Sequence, residues 1–152
     1  MPAIPAKDLT KEFPRSPLEE LDGLPWLPRM IDKVRALQAG MIGEYTPFPC
    51  GGDRGFLEAV GVAAASLKEV IDGGAGDAEI ARWVRAHAAD GLDGRLAAYR
   101  ERLLAPVVGE WREYLDGGIA ELQAAKPGLD TSKVDNFTRL ICLEEGHPCP
   151  GL

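Results

Sequence analysis

Hydrophobic residues recur at helical spacing along most of the chain. Leu27, Met30, Ile31, Val34, Leu37 and Met41 fall on one stripe, the best-defined helical period in the sequence. A proline without an N–H is tolerated only in the first turn, so the helix carrying this stripe begins between Pro25 and Pro28 and runs to Gly40. Met30, Val34 and Leu37 are its expected core centre. Further helices are expected from Asp53, as cap, to Val60, over "VAAASLKEVIDGG", and over "GDAEIARWVRAHAADG", where Ile80, Trp83, Val84 and His87 share a face.

Before the stripe, "SPLEELDG" reads as a short helix, with Ser16 as cap and Glu19 in capping-box spacing. From Leu92 the helical pattern is interrupted by Pro106, which implies a kink or two helices, and Gly117-Gly118 reads as a stop. "IAELQAA" then forms a short helix, and a closing one starts near Asp130 or Thr131 and ends at Gly146. No β-branched alternation occurs, so no sheet beyond an isolated bridge is expected. The fold class is therefore all-α: a single compact domain, 1–152, of six to eight short helices. Residues 1–15, with Pro2, Pro5 and Pro14, form an extended arm, residues 147–152 a C-terminal tail, and "GEYTPFPCGGDRG" one Gly/Pro-rich central loop.

A chain of 152 residues suffices to bury its own core. The net charge of −7 and the lack of a basic run speak against a nucleic-acid partner. No apolar run approaches the roughly 18 residues of a membrane span and no leader pattern opens the chain, which argues for a soluble, cytoplasmic protein without a membrane partner. Cys50, Cys142 and Cys149 are an odd set without a C-x-x-C pair, so reduced thiols are expected.

Four segments carry a resemblance. "KDLTKEFPRSP", "LPRMIDKVRALQAGMIGEY", "DRGFLEAVGV" and "FTRLICLEEG", in that order, resemble a widespread bacterial family, the domain-of-unknown-function family numbered five thousand and sixty-nine. The resemblance implies a complete single-domain bacterial protein and carries no activity, cofactor or catalytic residue. Some members place a His after the Glu-Tyr pair, where this chain has Thr46, so a chemistry shared through that His would be missing here.

The chemistry-bearing candidates cluster around the striped helix. Asp32 lies three residues from both Arg29 and Arg35 on its polar face, and Lys33 four from Arg29, a pattern that a self-neutralising surface also produces. Cations outnumber anions there, and the central loop, beginning with Glu44 and Tyr45, is expected to fold back over this face. Arg29, Asp32, Lys33, Glu44, Tyr45, Asp53 and Arg54 thus form a candidate cleft for a small anion or a protein segment. The two glycines after Cys50 fit either an anion cradle or a plain turn. Cys142, His147 and Cys149 are possible ligands near the C-terminus, but His147-x-Cys149 is too tight for a common zinc site, so no metal and no cofactor are expected. His87 reads as a partly buried, hydrogen-bonded histidine, and the tryptophans and tyrosines as core or rim.

Three function classes remain. A binding module comes first, an enzyme using the same charged cluster for acid–base chemistry second, and a structural or oligomer-forming protein third. The ligand and the oligomeric state are not specified by the sequence.

Overall fold

The computed structural model describes residues 4–152, so the first three residues of the expected arm lie outside the described residues. Among these, seven helices carry the fold: α1 (Leu27–Gln38), α2 (Gly51–Val60), α3 (Ala64–Asp72), α4 (Asp77–His87), α5 (Leu92–Leu104), α6 (Glu110–Ala125) and α7 (Phe137–Glu145). They are preceded by a small antiparallel hairpin, β1 (Glu20–Leu21) and β2 (Leu24–Pro25), with Leu21 opposite Leu24. The fold is mostly α, as the periodicity predicts. The chain divides into two compact units, one ending at Tyr99 and the other spanning Arg100–Leu152.

The hairpin replaces the helix expected over residues 16–23. Asp22 and Gly23 both have positive φ, 51° and 75°, the backbone of a two-residue turn whose twist matches paired strands. Asp-Gly is a strong signal for that turn, and it outweighs the capping-box spacing of Ser16 and Glu19. The resulting ladder is slightly larger than the isolated bridge expected.

In the first unit α1 is the central element, packed against α3, α4 and β1. Leu27, Met30, Ile31 and Val34 are essentially inaccessible and meet Leu67 and Ile71 of α3 and Ile80 and Val84 of α4 as one core. Leu37 departs from its expected place, being 37% exposed. It sits in the last turn of α1. Burial instead extends around the whole circumference of α1: Arg29, Asp32 and Lys33 are no more than 5% exposed. A polar helix face taken out of water must find partners for every charge, and this requirement organises the site.

Two further expectations change here. The central loop ends at Cys50, because Gly51-Gly52 already belong to α2; Cys50 is the N-cap, and Asp53 stands three residues inside, its carboxylate accepting from the Cys50 N–H at 2.9 Å. His87 is exposed, stacked on Trp83 with ring centroids 4.3 Å apart and Nδ1 2.8 Å from the Trp83 carbonyl oxygen.

The second unit is built on α6 and α7, with a modest core of Leu103, Leu115, Leu122, Val134 and Cys142. The chain breaks at Pro106 into two helices. Gly117-Gly118 does not end α6, which runs on through the segment expected as a separate helix. Gly118 serves close packing: a Cβ there would stand 2.8 Å from Leu140 of α7. α7 starts at Phe137, later than expected, because the Asn136 side chain caps it by accepting from the Arg139 N–H at 2.7 Å. Residues 147–152 are non-helical, as expected, and are held rather than frayed, with Arg139 Nε donating to the Pro150 carbonyl at 3.0 Å.

Candidate functional site

Two polar networks cover the polar side of α1. In the first, the arm delivers Arg15 onto Asp32. The Asp32 carboxylate accepts the Arg15 backbone N–H at 2.8 Å, Nε at 3.1 Å and Nη2 at 3.0 Å. Arg15 Nη1 reaches on to Asp77 Oδ2 at 2.8 Å, in the first turn of α4, and Arg35 Nη1 stands 2.9 Å from Asp77 Oδ1 as an ion pair out of line for a hydrogen bond. Burial works against the charge on Asp77, but Arg15 and Arg35 outweigh it and hold the carboxyl below its ordinary range. Burial likewise opposes the Arg15 charge, and its hydrogen bonds to Asp32 and Asp77 raise the guanidinium above its ordinary value.

The arm is fixed so that Arg15 arrives in register. Leu9 is buried and donates its N–H to the Met41 carbonyl at 2.8 Å, just past the end of α1. Gly43, at φ 62°, lets the chain cross closely, since a Cβ there would lie 2.9 Å from the Leu9 carbonyl oxygen.

The second network joins α1 to α2. Asp53 is completely buried; its Oδ2 accepts Lys33 Nζ at 2.8 Å and the Cys50 N–H at 2.9 Å, and its Oδ1 accepts the Trp26 indole N–H at 2.9 Å. Lys33 Nζ also donates to Cys50 Sγ at 3.1 Å. Trp26 precedes α1 at φ 74°, a left-handed conformation that a bulky residue rarely adopts. Its ring lies so close to α2 that a Cβ on Gly52 would be 2.2 Å from Cζ2. The "GGD" stretch therefore gives a bulky indole room beside the helix start.

The seven candidate residues consequently do not line one cleft. Asp32, Lys33 and Asp53 are bound into these internal networks. Arg29 is buried, donates to the Arg15 carbonyl at 3.3 Å and lies over the Tyr45 ring at 5.8 Å, so the central loop does fold back onto α1, while Asp32 is covered by Arg15. Glu44 is exposed. Arg54 is exposed on α2, where it enters an open groove of about 400 Å³ together with Pro49, Leu57, Glu58, Gly61 and the start of α3 at Ala63-Ala64. Asp77 and Arg15 were not among the candidates. Their only sequence signals were "PRSP" and the acidic first turn of α4, neither of which names a partner.

That groove sits at a helix N-terminus without a side-chain cap, because Ala63 is the N-cap of α3. The first N–H groups of a helix have no partner within it and concentrate positive potential there. The groove thus offers a guanidinium, a helix terminus and, through Glu58, one carboxylate. Elsewhere, among the described residues, no three His, Cys, Asp or Glu side chains converge as a metal set, and no helix is long and apolar enough to cross a membrane. All three cysteines are free thiols.

Compared with known proteins, residues 11–147 match the family described as Domain of unknown function (DUF5069). No curated protein matches the chain.

Proposed function

The chain belongs to the DUF5069 family, and we propose that it is a binding module whose groove at the α2–α3 junction takes a small zwitterion, such as a free amino acid. The observation that carries this reading is the placement of Arg54 and Glu58, both exposed and one helical turn apart, on a groove that also receives the uncapped start of α3. Arg54 and the α3 N–H groups suit a carboxylate; Glu58 suits an ammonium group on the same ligand. Arg54 faces an open groove, while Asp32, Lys33 and Asp53 neutralise one another or their neighbours. The overall charge of −7 disfavours polyanionic partners and leaves short-range recognition of a neutral zwitterion unaffected. The reading includes a bacterial cytoplasmic setting, which three cysteines held as thiols support.

The test is amide chemical-shift titration of the full chain with glycine, alanine and succinate. Saturable shifts at Ala64, Ala65 and Ser66 with the amino acids are expected, lost in Arg54→Ala and weakened in Glu58→Gln, with succinate needing Arg54 but not Glu58. Absence of saturable shifts with every probe at millimolar concentration refutes the reading. A structural role is the second reading: Val108, Trp111 and Tyr114 are 78%, 65% and 70% exposed around the start of α6, the two aromatics at positions read from sequence as core or rim.

A further inference from the structure

We infer that Lys33 and Cys50 form a peroxide-dependent modification site, in which oxidation of Cys50 is followed by closure of a sulfur–nitrogen bond between α1 and the N-cap of α2. The geometry is that of a nucleophile held in reserve. Lys33 Nζ stands 3.1 Å from Cys50 Sγ, on a side chain only 4% exposed, and Asp53 Oδ2 holds the same nitrogen at 2.8 Å. Cys50 itself is partly exposed and follows Pro49, which lines the groove. Of the other thiols, Cys142 is fully buried, and Cys149 Sγ donates to the Pro150 carbonyl at 3.6 Å.

The chemistry balances with hydrogen peroxide as the oxidant. The sulfur attacks one peroxide oxygen, the S–O bond forms as the O–O bond breaks, and the departing hydroxide leaves as water with the thiol proton, giving a sulfenic acid. The Lys33 nitrogen, having passed a proton to Asp53 Oδ2, then attacks sulfur. The S–O bond breaks, and the hydroxide leaves as water with a second proton from the nitrogen. The product is a sulfenamide beside a neutral Asp53 carboxyl, so a buried ion pair becomes a neutral, covalent link without net change of charge. Sulfenic acids condense with backbone nitrogen in the same way; here a side-chain amine is already in contact.

The experiment treats full-length Cys149→Ser protein with hydrogen peroxide and follows intact mass and tryptic maps. The expected product is lighter than the reduced chain by two hydrogens, contains a peptide joining Lys33 to Cys50, and returns to the starting mass with dithiothreitol. Cys50→Ser removes it, and Lys33→Met replaces it with oxygen adducts on Cys50. The wild-type peptide map decides the matter even if Lys33→Met fails to fold. Cys50 that gains only oxygen, a bridge that retains an oxygen between sulfur and nitrogen, or a thiol unchanged by peroxide overturns the inference.

Discussion

At the scale of single residues, Asp77 shows how the buried charge of α1 is balanced from outside its own helix. Its carboxyl is held low in the folded chain by Arg15 and Arg35 against the cost of burial, while in the unfolded chain it titrates near 3.8. A group with a depressed folded value stabilises the fold above its unfolded value and loses that contribution as pH falls through the folded one. Stability is therefore expected to fall below about pH 4, where the unfolded chain takes up the proton first. Asp77→Asn is expected to be less stable near neutrality and to decline less on acidification, as read by urea unfolding at stepped pH. Asp8 and Asp130, lowered by the Thr10 and Ser132 hydrogen bonds, leave part of the acid sensitivity in place. A variant with the wild-type acid slope would show that Asp77 is not held low. Arg15 keeps its charge throughout this range, since its own value is raised.

At the scale of elements, glycine has two opposite meanings in this chain. Gly117 lies inside α6 with nothing within 4 Å of a Cβ, whereas Gly118, next to it, faces Leu140. Gly117→Ala is expected to stabilise the protein by about 0.5–1 kcal/mol, through helix propensity and a less flexible unfolded chain. Gly118→Ala gains the same propensity but must displace the Leu140 methyl, so it falls short of that gain; paired urea curves read the difference, and equal gains would refute the packing role. This pair also shows what was legible in the sequence. Helices α3 and α4 and the body of α1 were readable because apolar period and glycine stops agree within a few residues. Gly117-Gly118 misled because an interior glycine and a terminal one look alike without the partner helix. The Asp22-Gly23 turn was legible in principle, but the cap signal at Ser16, six residues before Asp22, pointed to a helix. The site was less readable. Lys33 and Asp53 could each be flagged as charged, but the contacts Arg15–Asp32, Arg15–Asp77 and Trp26–Asp53 join segments 17, 62 and 27 residues apart, and no local period records such distances.

At the scale of the whole molecule, apolar burial is unequal. The first unit closes around α1, buried from Leu27 to Val34, while the second relies on the short core around Leu115 and Leu122 and leaves Trp111 and Tyr114, ring centroids 5.5 Å apart, in water. Their exposure makes the chain its own two-channel optical instrument. Trp26 and Trp83 belong to one unit and Trp111 to the other, so subtracting the emission of a Trp111→Phe variant from that of the wild type isolates a signal from the second unit without any label. That difference signal is expected to be red-shifted and readily quenched by iodide, and to change at lower urea than the remaining emission, because less apolar surface opposes unfolding there. Coincident transitions would instead make the two units one cooperative block. The indole that contributes least to packing is thus the one through which the protein reports on its own melting.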